Sequence, residues 1–204
     1  IFNTLIIRDI KQKYKIRNIT LLEKLADFLM DNISTEVSSQ KLANTLTSSQ
    51  QKINNKTIGS YLTYLCNAFA FYKVRRYDIR GKKYLASQDK YYLADHFFRY
   101  AILGTKNMDF GRVYENIVAI ELLRRGYEVY VGKYDDIEID FIAIKPNEKV
   151  YYQVSRSILD EKVEEREKKS LLAIHDNYKK VILTMDNVKN KELDGIQVIN
   201  IIDF

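Results

Sequence analysis

The sequence predicts an α+β protein of two domains, a helical first domain over 1–100 and an α/β second domain over 101–204 with a mixed central sheet. Two patterns carry this reading. Apolar residues recur at helical spacing through most of the first seventy positions, whereas β-branched and alternating runs recur after residue 126. Charge divides at the same place. Residues 1–100 hold 17 Lys and Arg against 8 Asp and Glu, a net of +9, and residues 101–204 hold 16 against 19, a net of −3. A hydrophobic fraction of 46% over 204 residues is ample for folded cores.

Residues 1–17 mix Leu5, Ile6, Ile7 and Ile10 with Lys11, Lys13, Lys15 and Arg17, which predicts a short helix and then a basic segment. Leu21, Leu22, Leu25, Phe28 and Leu29 form the stripe of a helix over 21–30, with Thr20 as N-cap and Glu23 completing a capping box. A shorter helix over 38–46 starts at Ser38 or Ser39. A third, over 55–70, turns Ile58, Leu62, Leu65, Cys66 and Phe69 inward. Residues 71–77, 82–86 and 91–94 read as strands, with a turn at 78–81, and 95–103 as a connecting helix.

In the second half, Ile117, Ile120 and Leu123, with Val118 and Leu122 beside them, predict a helix that Gly126 ends. Asp109, Phe110 and Gly111 form the turn before it. Residues 128–131, 137–144 and 150–155 read as strands, the last two joined by a turn at Pro146 and Asn147. A charged helix over 160–175 follows, with Glu164–Lys168 and Glu165–Lys169 at supportive spacing. Residues 179–185 and 196–202 are further strands. The order α-β-β-β-α-β-β fits a mixed sheet flanked by helices.

Three helices followed by a basic hairpin is the element order of a winged helix-turn-helix. In that fold the third helix enters the major groove of double-stranded DNA and the hairpin touches its backbone. The candidate DNA contacts are Lys52, Lys56, Thr57, Ser60, Tyr61 and Thr63 on or before the third helix. On the hairpin they are Arg75, Arg76, Arg80, Lys82 and Lys83. Their cations would neutralise phosphates, giving affinity without reading sequence. The plainer reading of the same features is a protein-docking module.

The polar residues of the second half fall in a pattern. Glu138 and Asp140 share one face of a strand, Gln153 and Ser155 share one face of the next, and Glu115 begins the preceding helix. This order resembles the core of the restriction-endonuclease-like superfamily, whose active site reads Glu … Asp … (Glu or Gln)-x-Lys. The resemblance implies Glu115, Asp140 and Gln153 as catalytic positions, with Asp140 and Glu115 as ligands of Mg²⁺. Ser155 stands where the family has Lys. Arg156 points to the opposite face of a regular strand, and Lys162 on the following helix is the candidate substitute.

Tyr91-Tyr-Leu-Ala-Asp95, the run from Gly111 to Gly126, Glu138-Ile-Asp-Phe-Ile142 and Tyr151-Tyr-Gln-Val-Ser155 together suggest a larger arrangement. With the opening Ile1 to Ile10, they make the chain similar to the C-terminal region of a large prokaryotic family of AAA-type ATP-binding proteins. There a P-loop ATPase domain precedes a winged helix and a restriction-endonuclease-like domain of unknown function. Loss of the third-motif Lys is common in that family. The resemblance implies that ATP enters only through a preceding ATPase domain, which would be this chain's partner. The chain itself has no G-x-x-x-x-G-K-[ST]. It lacks an initiator Met, which leads us to expect a fragment or a processed product.

Other classes recede. No run of 18 uncharged apolar residues marks a membrane span. Cys66, the single cysteine, allows no intrachain disulfide and reads as a core thiol of a cytoplasmic protein. One cysteine with His96 and His175 makes a poor structural zinc site. The leading expectation is a nucleic-acid-binding or regulatory C-terminal region with an inactive nuclease-like domain. The alternatives are a Mg²⁺-dependent DNA endonuclease, and a protein-interaction module that binds neither DNA nor metal.

Overall fold

The structure, a computed structural model, describes residues 2–47, 53–85, 88–105, 109–188 and 191–204. Among these lie seven α-helices and ten strands in a mixed α+β arrangement. The chain forms two compact units, residues 1–73 with 88–108, and residues 74–87 with 109–204. The stretch 74–87, read from sequence as part of the first domain, thus packs with the second unit.

The first unit opens with a π-helical segment, Phe2–Ile7, and α1, Arg8–Tyr14, which ends where Lys15 takes a left-handed φ of 49°. α2, Ile19–Asp31, buries Leu22, Leu25 and Leu29 completely. Its N-cap is Asn18, whose side chain accepts the Leu21 N–H at 3.0 Å, and not the predicted Thr20. An Asn carboxamide placed there satisfies one orphan donor of the first turn, so the helix starts earlier and Thr20 lies inside it. β1, Glu36–Val37, comes next. α3, Ser39–Leu46, is capped by Ser38, which accepts the Lys41 N–H at 3.1 Å.

α4, Asn55–Asn67, packs against α1, α2 and α3. It stops short of the predicted end at residue 70. Phe69 N–H bonds to Cys66 C=O at 2.9 Å and Ala70 N–H to Leu65 C=O at 3.1 Å, closing the helix with Phe69 at φ 54°. β2, Phe71–Asp78, starts there, and β3, Lys83–Tyr84, and β4, Asp89–Leu93, follow. β1 pairs antiparallel with β4, Glu36 opposite Lys90. α5, Phe97–Leu103, lies on α2, where the buried Arg99 reaches Asp31 at 3.2 Å.

The second unit begins its helical part with α6, Phe110–Arg124. Asp109 caps it, accepting the Gly111 N–H at 3.0 Å. The predicted turn at Asp109–Gly111 is therefore the cap and first turn. The fully buried side of α6 is Val113, Asn116, Val118, Ala119 and Leu122. Ile117, Ile120 and Leu123, the predicted stripe, are half-buried beside it. Gly126 at φ 81° ends the segment, as predicted.

β5, Glu128–Tyr134, β6, Ile137–Lys145, and β7, Glu148–Ser155, form an antiparallel meander. α7, Glu161–Leu172, carries the chain to β8, Lys179–Thr184. β9, Lys191–Leu193, and β10, Ile196–Asn200, finish the sheet. Its order in this unit is β2-β5-β6-β7-β8-β10-β9, with β3 paired to β2. The β2/β5, β7/β8 and β8/β10 pairs are parallel. Ile139, Ile142, Tyr151 and Ile182 from the sheet pack with Leu171 and Ile174 near the end of α7.

The charged pairs of α7 differ from those predicted. Lys168 bonds Glu165 at 2.7 Å and Asp194 at 2.9 Å, and Glu164 bonds Lys191 at 2.8 Å. The β9–β10 hairpin offers α7 opposite charges of its own, and these take the place of the i,i+4 partners. Among the described residues no helix is long and apolar enough to cross a membrane.

Candidate functional site

The ladder between β6 and β7 runs from Lys145↔Glu148 to Phe141↔Tyr152. At the next position side chains take over. Gln153 Oε1 accepts the Asp140 backbone N–H at 2.7 Å, and Asp140 Oδ2 accepts the Val154 N–H at 2.8 Å. Beside Asp140, the register of β6 against β5 shifts between Tyr130 and Gly132. A Cβ on Gly132 would lie 2.9 Å from Ile139 Cβ, so this irregularity requires glycine. Two of the three predicted catalytic positions, Asp140 and Gln153, therefore meet where two strands of the sheet exchange backbone pairing for side-chain pairing.

The chain of contacts continues. Gln153, 5% exposed, donates through Nε2 to Glu167 Oε2 at 3.0 Å. Glu167 is also 5% exposed and sits on the inward face of α7. Its Oε1 accepts from Arg166 Nη2 at 2.6 Å and Nε at 3.2 Å. Adjacent residues on a helix do not face each other, so the exposed Arg166 must fold back to reach this carboxylate. The bond to Glu167 and then the charge of Asp140 hold the Arg166 guanidinium above its ordinary pKa. Hydrogen bonds of this kind offset the cost of burying a polar group.

Glu167 was missed from the sequence, although a signal existed. It lies at i+4 from Val163 and i−4 from Leu171, where α7 needs an apolar residue. A charge on that stripe marks a buried polar contact.

The remaining predicted positions lie on α6, at the end of β7 and at the start of α7. Glu115 is half-buried on α6, next to Asn116, which is 1% exposed. Ser155 is buried, and its hydroxyl donates to the Ser157 C=O at 3.0 Å. Arg156 is exposed, with its guanidinium 5.4 Å from the centre of the Phe110 ring. Lys162 is exposed in the first turn of α7, where Asp160 caps its backbone N–H. Among the described residues no group of three or more His, Cys, Asp and Glu side chains comes together to hold a metal. One oxygen of Asp140 is committed to the backbone of β7. Asp140, Gln153 and Glu167 tie β6, β7 and α7 together.

The candidate DNA contacts fall into the two units. In the first, Lys56, Ser60 and Thr63 are exposed on α4 and Thr57 is half-buried. Ser60 and Thr63 donate their hydroxyls to the C=O of Lys56 and Gly59. Tyr61 is buried, and its OH reaches the Asn18 C=O at 3.4 Å. Lys52 lies outside the described residues. In the second unit, Arg75 stacks its guanidinium 4.8 Å from the centre of the Tyr84 ring. The Arg76 side chain is 11% exposed and lies 4.0 Å from Glu138. Arg80 spans both oxygens of Asp135 at 3.0 Å. Lys82 and Lys83 are exposed. Cys66, half-buried, has its thiol pushed up to about 11, chiefly by burial.

Comparison with known proteins gives a family. The family described as domain of unknown function DUF8612 matches residues 1–109. An uncharacterized protein of Haemophilus influenzae is 43% identical over 204 residues, all of this chain and 50% of that protein. The uncharacterized protein MJ1544 of Methanocaldococcus jannaschii is 30% identical over 191 residues, 90% of this chain and 40% of that protein. The chain thus spans half or less of these relatives' length. No solved structure matches it.

Proposed function

We propose, for a chain that belongs to the DUF8612 family of domains of unknown function, that it is the nucleic-acid-binding and regulatory part of a longer AAA-type ATPase. The observation that carries this reading is the outer face of α4. It exposes Lys56, Ser60 and Thr63, and the helix contains no Asp or Glu. The succession α2, β1, α3, α4, with β1 paired to β4, supports a winged-helix reading of the first unit. In that reading α4 meets double-stranded DNA. Lys56 neutralises a phosphate, and the hydroxyls of Ser60 and Thr63 rotate away from the C=O of Lys56 and Gly59 to donate to phosphate oxygens.

The second unit, read as nuclease-like, would not cut. Its Asp140 and Gln153 serve as a bridge between strands, and Ser155 supplies no cation. It acts as a regulatory surface for the ATPase domain, and the length of the relatives beyond this chain leaves room for that domain. The AAA assignment rests on the sequence resemblance.

The test is fluorescence anisotropy with a labelled duplex across a salt series. Affinity should fall with salt with a log–log slope of about −0.9 for each phosphate neutralised. Lys56→Ala should make that slope shallower by about one contact. No binding of any duplex at low salt would refute the reading and leave the protein-interaction module. The same samples incubated with Mg²⁺ or Mn²⁺ should leave DNA intact. Cleavage abolished by Asp140→Ala would overturn the non-cutting assignment in favour of the endonuclease.

A further inference from the structure

Between the end of α1, the start of α2 and the first turns of α4 lies a cleft of about 440 Å³ within the first unit. One wall is phenolic. Tyr14 stacks on Tyr64 with ring centres 3.8 Å apart and planes 10° from parallel, and Tyr61 lies 6.2 Å from Tyr64. The other side is cationic. Lys15 and Arg17 line the cleft and are exposed. Among the described residues that line it there is no Asp or Glu.

The neutral polar groups of the cleft are matched to an acceptor. Asn18 and Asn54 cap α2 and α4 through their amide oxygens, which leaves each an NH₂ to donate. Thr57 adds a hydroxyl. The cleft therefore combines two cations and several donors with a broad aromatic wall. Its ligand must be anionic and rich in acceptors at one end and flat at the other. A 5′-nucleotide has that chemistry, with a phosphate for the cations and a base for the phenol rings. A paired duplex does not, because its bases are stacked inside.

We infer that this cleft binds one unpaired nucleotide, its phosphate on Lys15 and Arg17 and its base against the tyrosines. The inference deepens the nucleic-acid reading and rests on it for placing the nucleotide in a strand. Its site is the end of α1, the loop to α2 and the residues of α4 that line the cleft, not the face of α4 that exposes Lys56, Ser60 and Thr63.

The experiment is an NMR titration of the ¹⁵N-labelled 204-residue chain with three probes: thymidine 5′-monophosphate, thymidine, and an oligothymidylate of about eight nucleotides. The monophosphate should shift the amides of Lys15, Arg17, Asn18 and Thr57. Thymidine should bind about tenfold more weakly, having lost the charge-assisted bonds. The double variant Lys15→Gly/Arg17→Ala should weaken the monophosphate by about tenfold or more. Glycine accepts the left-handed backbone of residue 15, and an otherwise unchanged amide spectrum verifies that the variant folds.

An oligonucleotide that binds more tightly than the monophosphate identifies a nucleotide within a strand, and equal affinities identify a free nucleotide. Both outcomes uphold the site. Absence of these shifts at millimolar monophosphate and with the oligonucleotide overturns it. Duplex affinity that survives in the double variant while the monophosphate never binds would sink this inference alone. Shifts by the monophosphate without any duplex affinity would uphold it while the α4 reading falls.

Discussion

Replacing Gln153 with Ala removes both ends of the link that joins β6 to α7. The Asp140 N–H loses its 2.7 Å acceptor, and a backbone donor left unsatisfied in the interior costs about 1–3 kcal/mol. Glu167 loses the 3.0 Å donor on Oε2 but keeps Arg166 on Oε1, so this end adds about 1 kcal/mol. The two ends belong to one side chain, and a total of about 2–4 kcal/mol is expected. For a chain of this size that lowers Tm by about 4–16 °C. The assay is urea unfolding followed by circular dichroism, combined with hydrogen exchange at the Asp140 and Val154 amides. Ser155→Ala is the control, because its hydroxyl makes one local bond to Ser157 and its loss should cost about 1 kcal/mol. If Gln153→Ala matches that control and the Asp140 amide keeps its protection, the bridge does not stabilise the sheet.

Three further outcomes are expected. Phe69 is 70% exposed at φ 54°, so Phe69→Gly should raise stability by about 0.5–1 kcal/mol, the relief of a left-handed side-chain residue less the added freedom of the unfolded chain. A drop in the urea midpoint would instead show that its ring contact with Tyr72 outweighs the strain. Gly132→Ala places a methyl 2.9 Å from Ile139 Cβ and 3.1 Å from Ile142 Cγ1. It should destabilise by about 1–3 kcal/mol, and an unchanged Tm would count against the tight bulge. Glu121, bonded by Arg124 and Arg125, holds its carboxyl at about 2, below the ordinary 4.5. Because its folded pKa is depressed, its contribution is fully present above pH 4.5 and is lost as pH falls through about 2. Solvent screens this surface cluster, so the contribution is under about 1 kcal/mol. Melting curves of Glu121→Gln should be flatter over that acid range than those of the parent, and identical curves would refute the assignment.

The sequence showed the long elements because their apolar spacing is redundant. α2, α4 and β6 each carry several residues that agree on one period. It was less informative where one hydrogen bond decides a boundary. Thr20 and Glu23 make a capping box on paper, yet Asn18 is the residue whose carboxamide reaches a first-turn N–H. The start of α6 was hidden because Asp109-Phe-Gly reads equally as a turn and as a cap. β1 and β9 are two and three residues long, and they exist through their pairing with β4 and β10 rather than through any pattern of their own. The polar bridge was half legible. Asp140 and Gln153 stood out as polar residues among apolar neighbours, whereas Glu167 was lost in a run of charges that resembles a solvated face. Spacing alone also gave no sign that the ladder would open between Asp140 and Gln153.

The parallel pairing of β2 with β5 bears on how this polypeptide can be divided. Arg75 to Asp78 lie opposite Tyr130 to Lys133, yet residues 88–108 between these strands belong to the other unit. A fragment starting at residue 101 would have β5 as a bare margin, its outward amides and carbonyls ready to recruit a strand from another molecule. Such a truncation should self-associate, and its behaviour would report the damage done by the cut. Excising the second unit intact calls for two excisions and a splice, so that residues 74–87 travel with 109–204.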